Sequence, residues 1–402
     1  MYKGVVILVE NVIVAKGKTM KTILLITILA GTLIFLSCGN NDENVAPEDI
    51  IVMVSPASTT ISFGDSVKFT AEVFNTPNSA VTWHVNDILG GNDSLGTIDT
   101  TGLYISPPSY FDSVTFDMVT IKAISQADTS KSDTSSVIIL DPDFIFVDST
   151  IGDDVTGIGS ILHPFRTITK GIEEATIDQT VHVGKGTYHE NENFPLTPKY
   201  KVTIKGVGPD STLILAPTGQ DIENAAFEIR YDLSVIDSLS IIGSDHSGIG
   251  IHFSSDSISV ELALRNCKID NCYIAAVSTG PSRDIRFENN EVTNSTYGLL
   301  ATDSGYFLIR NSTFDNIDSI GVKIDQNAYA NLGDPPENLW GHNTFSSCGQ
   351  WCLYNLYQDS IFAIGNTWPA GDSASIDDLI YDDDPDESNG TSGPVIFVPF
   401  NP

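Results

Sequence analysis

Three groups of residues in this chain are of types that could do chemistry. Lys323 and Asp325 alternate with Val322 and Ile324 in Gly321-Val322-Lys323-Ile324-Asp325. A strand that buries the two aliphatic residues would turn both charges outward. Asp303 should lie one structural repeat earlier, so the trio could supply a base and an acid, or be an ordinary solvated salt link. Trp340, Trp351, Tyr354 and Tyr357 crowd a polar, Pro-containing stretch around Asn331-Leu332-Gly333-Asp334-Pro335-Pro336. Such rings could stack on sugars or fill a widened core. Asp382, Asp383, Asp384 and Asp386 offer enough oxygens for Ca2+, without the spacing of an EF-hand; a solvated acidic loop has the same composition. No Ser-His-Asp order, phosphate loop or nucleotide fingerprint is apparent in the sequence.

These residues sit in a repeat. Arg265-Asn266-Cys267-Lys268-Ile269-Asp270-Asn271 returns as Glu288-Asn289-Asn290-Glu291-Val292-Thr293-Asn294 and as Arg310-Asn311-Ser312-Thr313-Phe314-Asp315-Asn316. Weaker copies follow at His342-Asn343-Thr344-Phe345 and Gly365-Asn366-Thr367-Trp368. The apolar anchors Ile269, Val292, Phe314, Phe345 and Trp368 are 23, 22, 31 and 23 residues apart, the long interval holding the insertion. Short alternating runs, turn residues between them and no helical spacing predict a β-solenoid. In stacked coils about 4.8 Å apart the anchors become one interior column. Asn266, Asn289 and Asn311 are expected to satisfy turn amides as a structural ladder. A looser copy through Ile236, Ile241 and Gly248-Ile249-Gly250-Ile251 places the start of the solenoid well before residue 260.

Composition narrows the partners. The chain has 20 basic and 52 acidic residues, a formal charge of -32, and is 41% hydrophobic. Such a surface repels nucleic acid phosphates and anionic lipid, which argues against a nucleic-acid partner, and is compatible with cation binding. Four cysteines follow Cys38: Cys267 and Cys272 could span a turn, and Cys348 and Cys352 could close a small loop as disulfides. Cys272 and Cys348 occupy matching repeat positions about three coils apart, roughly 14 Å, too far to bond.

Ahead of the repeat the chain reads as a targeting segment and a small β module. Met20-Lys21 opens a complete signal peptide, with an apolar run from Ile23 to Leu36 and then Ser37-Cys38-Gly39. The Cys after a small residue resembles the lipobox of bacterial lipoproteins. That resemblance implies cleavage after residue 37, acylation of Cys38 and a polar tether over 38–49. Residues 50–142 hold short alternating strands such as Val81-Thr82-Trp83-His84-Val85 and Val119-Thr120-Ile121-Lys122-Ala123. With Gly96-Thr97-Ile98-Asp99-Thr100-Thr101-Gly102-Leu103-Tyr104, this segment resembles the group 2 bacterial Ig-like domains, which implies a spacer or adhesive stalk. Trp83 is expected in its core, without the inter-sheet disulfide of antibody domains.

Residues 143–402 open with Gly152-Asp153-Asp154, His163-Pro164-Phe165-Arg166-Thr167-Ile168, Gly186-Thr187-Tyr188 and Glu192-Asn193-Phe194-Pro195-Leu196. This series resembles the first coils of pectin-lyase-like right-handed parallel β-helices, in particular a family of unknown function. A short helix over Thr169 to Ala175 is expected to cap the first coil. Val395-Ile396-Phe397-Val398-Pro399 is expected to close the last.

The expected fold is therefore all-β: an Ig-like β-sandwich followed by a right-handed parallel β-helix. The expected protein is a cell-surface or outer-membrane lipoprotein, held to the membrane through Cys38, that binds a glycan or polysaccharide surface on the solenoid flank. A polysaccharide lyase or glycoside hydrolase and a structural coat component are the alternatives.

Overall fold

The computed structural model describes residues 48–108, 117–254, 262–281, 285–334, 340–382 and 393–398. The Cys38 segment and Asp383, Asp384 and Asp386 lie outside these residues. No helix among the described residues is long and apolar enough to cross a membrane.

Strands from Ile51–Ser55 to Ser132–Leu140 form a β-sandwich. One sheet has five strands, in the order Ser58–Ser62, Ser132–Leu140, Met118–Ser125, Val81–Val85, Ile88–Leu89. It faces a four-stranded antiparallel sheet that contains Ser66–Lys68, Leu103–Ile105 and Gly96–Ile98. Alternation drives the pairing: Val119, Ile121 and Ala123 point inward from one strand and Val137 and Ile139 from its neighbour. Trp83 is buried in this core, its ring 6.5 Å from that of Phe69.

From Phe144–Val147 onward the chain coils. Each turn visits three parallel sheets, of eight, seven and seven strands, and all the coils share one apolar core. The first sheet includes Leu262–Arg265, Ile285–Glu288 and Tyr306–Arg310. Lys268–Asp270, Glu291–Thr293 and Thr313–Asp315 belong to the second sheet. The third is built from five-residue strands such as Ile274–Ser278, Tyr297–Ala301, Ile320–Ile324 and Trp351–Asn355. The sequence anchors stack as expected: Ile269 pairs with Val292 and Val292 with Phe314, and Phe314 pairs with Phe345. Phe314, Phe345 and Trp368 continue as ring stacks at 5.0 and 4.8 Å. Successive coils approach so closely in the third sheet that a side chain on Gly298 would run into the Gly321 carbonyl.

The corners between first and second sheets correct the expected asparagine ladder. Asn266, Asn289 and Asn311 adopt left-handed φ of 56°, 55° and 50° and are exposed; they make the turn. The ladder itself lies one residue later, inside. Asn290 Oδ1 accepts from Cys267 N at 3.0 Å, Asn343 Oδ1 from Ser312 N at 2.9 Å, and Asn366 Oδ1 from Asn343 N at 2.9 Å. Between them Ser312 Oγ accepts from Asn290 N at 3.2 Å. Each amide also donates back to a carbonyl, as Asn343 Nδ2 does to Ile309 O at 3.0 Å. Buried corner amides that cannot reach water are paired this way, one coil at a time.

Helix Ile168–Glu174 covers the open end of the first coil, burying Ile168 and Ile172. Its first amides are held by Glu192, whose carboxylate accepts from Ile168 N and Thr169 N at 2.8 Å each. That explains the Glu in the opening motif: it satisfies orphan helix donors. At the far end Val395–Ile396 pairs in parallel with Ile361–Phe362, as the closing strand should.

Candidate functional site

The outer face of the third sheet becomes strongly aromatic at its last coils. Its strands do not alternate strictly. In Trp351–Asn355 both Cys352 and Leu353 are buried, so Trp351 and Tyr354, three apart, turn to the same outer side. Their rings lie 5.0 Å apart. Tyr381, from the next strand in the sheet, stacks on Tyr354 at 4.4 Å and 9°, and meets Trp351 edge-on at 5.5 Å. Trp351 and Tyr354 are half-buried and Tyr381 is exposed. The result is a platform of three rings in mutual contact, in which Tyr354 and Tyr381 each turn one face to the other. Burial, then the neighbouring Tyr381 hydroxyl and the Asp325 charge, raise the pKa of Tyr354 above its ordinary value, so the phenol stays neutral.

Register places a charged pair beside the platform. Lys323 pairs with Tyr354 across the coils, and Lys323 Nζ lies 3.3 Å from Asp325 Oδ1. Val322 and Ile324 are fully buried, so the pair faces out as the alternation predicts. Asp303 does not join it. It sits in a left-handed turn with φ 49°, accepting from Thr302 Oγ1 at 3.1 Å, and the coil neighbour of Asp325 is Thr302. The Lys323, Asp325 and Asp303 trio is therefore not assembled, because the strand ends before Asp303.

The other aromatics separate. Trp340 stacks on His342 at 6.1 Å and shields Gly365, at the corner between first and second sheets. Tyr357 packs edge-on to Tyr329 at 5.6 Å beside the core. Sequence proximity grouped four rings; the fold keeps Trp351 and Tyr354 together and replaces the other two with Tyr381.

Farther along the same face a polar network links residues about one coil apart. Glu228 Oε2 accepts from Arg230 at 2.6 Å, and Glu228 Oε1 from Ser254 Oγ at 2.8 Å. His252 Nδ1 is 3.6 Å from Glu228 Oε1, and its Nε2 is 2.8 Å from Thr279 Oγ1. Burial pushes the pKa of His252 down, which keeps the imidazole neutral at neutral pH. Burial pushes Glu228 up, but the hydrogen bonds and charge of Arg230, with Ser254, hold it below its ordinary value. The sequence reading missed this cluster; the coil period, extended back to Glu228, is the signal that could have found it.

Among the described residues Cys267, Cys272, Cys348 and Cys352 are free thiols. Cys267 and Cys272 lie at opposite ends of strand Lys268–Asp270 and point into different corners, so the expected bond between them is not formed. Burial pushes both up to about 12, leaving them unreactive. Cys348 and Cys352 are free, and the neighbouring Cys352 thiol together with burial raises the pKa of Cys348. Among the described residues no group of three or more His, Cys, Asp or Glu side chains could hold a metal ion. Asp382, offered as a Ca2+ ligand, accepts from Val395 N at 2.5 Å and helps seat the closing strand.

Residues 211–368 match the family model described as the right handed beta helix region. The solenoid is a right-handed β-helix. No curated protein sequence matches the chain. Among solved structures, the chain is similar to the catalytic domain of a GH87 alpha-1,3-glucanase variant, D1069A, in complex with tetrasaccharides. The identity is 14% and the TM-score 0.28, over 71% of this chain and 53% of that one. The chain thus spans about half the length of that structure. The β-helix of the present chain carries its platform on the final coils of the matched region and just beyond, since Tyr381 lies past residue 368.

Proposed function

We propose that this protein binds glycans on the outer face of the third sheet, with Trp351, Tyr354 and Tyr381 as the stacking surface. The observation that carries this reading is three rings within 4.4–5.5 Å of one another, half-buried or exposed, on a rigid sheet. Sugar rings present apolar C–H faces that stack on such surfaces, and their hydroxyls suit the adjacent Lys323–Asp325 pair. Each stacked ring contributes on the order of 0.5–1.5 kcal/mol by analogy with aromatic pairs, so a single copy binds weakly. Many copies on one surface compensate through multivalency.

The reading extends to a lipoprotein anchored through Cys38 that carries the β-helix on an Ig-like stalk. What supports it is the apolar run from Ile23 to Leu36 followed by Ser37-Cys38-Gly39 in the sequence. Metabolic labelling with a palmitate analogue is expected to mark the wild-type protein and not Cys38→Ala. Equal labelling of that variant would remove the anchor.

A binding role is favoured over a lyase or hydrolase because Asp303 stands apart from Lys323 and Asp325 and the basic group is held in an ion pair. The binding test is Trp351→Ala against a glycan array, with the melting temperature followed in parallel. Lost binding at unchanged stability is the expected result. Intact binding would sink the platform, as would glycan cleavage by the wild-type protein the choice against an enzyme.

A further inference from the structure

We propose that the platform face takes glycans free of carboxylate and sulfate groups, a neutral polysaccharide rather than a polyuronate. This rests on the glycan-binding reading and adds the chemical class of the ligand.

The argument is one of available cations. Recognition of an anionic sugar needs an uncommitted Arg or Lys, usually in a bidentate or charge-assisted bond. Among the described residues two basic side chains stand on the outer side of the third sheet near its coil-to-coil column, and both are engaged. Arg230 lies 2.6 Å from Glu228, and Lys323 lies 3.3 Å from Asp325. His252, next in the column after Glu228, is buried and held neutral, so it adds no positive charge.

At Leu353 and Tyr354 the strand is flanked on both sides by neighbours in the ladder, Ile320–Ile324 and Ile380–Tyr381. A carboxylate laid over Tyr354 would shed water without a partner and face Asp325. The whole-chain field points the same way, with 52 acidic against 20 basic residues repelling a polyanion during approach. A neutral sugar meets none of these costs. Its hydroxyls can donate to Asp325 and accept from Lys323 without breaking the pair, while its ring stacks.

The test is affinity electrophoresis of the full-length protein and Trp351→Ala, at low and high salt. The gels hold laminarin, hydroxyethylcellulose, glycogen, galactomannan or polygalacturonate. At least one neutral polymer is expected to retard the wild-type protein, independently of salt, with the retardation lost in Trp351→Ala. Polygalacturonate is expected to bind at least tenfold more weakly than that polymer at either salt concentration. Retardation by polygalacturonate that Trp351→Ala abolishes would overturn the ligand class while leaving the platform standing. Retardation by none of the polymers would overturn both.

Discussion

Val292→Asp is expected to destabilise the β-helix by several kcal/mol, on the order of 3–5, and to lower its melting temperature by roughly 10 °C. Val292 is fully buried, with Ile269 on one side in the stack and Phe314 on the other. A carboxylate there has no donor within the core, so it must either stay charged without a partner or bind a proton at a strongly raised pKa. The damage also spreads, because each coil is stabilised by its neighbours in a one-dimensional stack. Beyond Phe314 the rings of Phe345 and Trp368 depend on the same alignment. The sign of the pH effect follows from the raised pKa: protonation restores a neutral side chain, so part of the lost stability returns as pH falls through that value. Thermal melts at neutral and mildly acid pH measure both. A melting temperature equal to wild type would mean that Val292 does not face inward.

The second large effect is expected at Asn343→Leu. The leucine is close in size but leaves Ser312 N without an acceptor and Ile309 O without its side-chain donor. Each buried unsatisfied group costs roughly 1–3 kcal/mol, so a loss of about 2–5 kcal/mol is anticipated. Asn311→Gly is the contrast. Asn311 is exposed in a left-handed turn that glycine adopts freely, so this variant should stay within a few tenths of a kcal/mol of wild type. Denaturant melts separate the two cases. Equal losses in both variants would move the ladder back to the exposed asparagines.

That one-residue offset shows where sequence reading reaches its limit. The coil period was legible because the apolar anchors recur, and burial of Ile269, Val292 and Phe314 follows directly from it. The position of the ladder was not, because Asn289 and Asn290 are adjacent and identical. Which one points inward depends on which takes the left-handed conformation, a property of the corner and not of residue type. Simple alternation also misleads in the third sheet. A spacing of three should put Trp351 and Tyr354 on opposite faces, yet the bend that buries both Cys352 and Leu353 brings them to one.

Tyr381 was hidden for a different reason. It follows an irregular stretch with a short helix, Ser373–Asp377, where no repeat motif marks the register. The Lys323–Asp325 pair was readable from a single strand, whereas Asp303 was misplaced because the end of a strand and the start of a turn are not marked by alternation. Cys267 and Cys272 looked close in sequence, but a strand runs between them and sends each thiol to a separate corner.

The most direct test of the platform compares Tyr381→Ala with Tyr357→Ala in equilibrium binding to whichever glycan the wild-type protein retains. Both are tyrosines near the same end of the β-helix. Only Tyr381 stacks on Tyr354, while Tyr357 packs on Tyr329 beside the core. Losing one stacked ring of on the order of 0.5–1.5 kcal/mol should weaken binding by roughly 2- to 12-fold. Tyr381→Ala is predicted to show that loss at an unchanged melting temperature, and Tyr357→Ala to keep wild-type affinity. Wild-type affinity in Tyr381→Ala together with a loss in Tyr357→Ala would contradict the assignment of the binding surface.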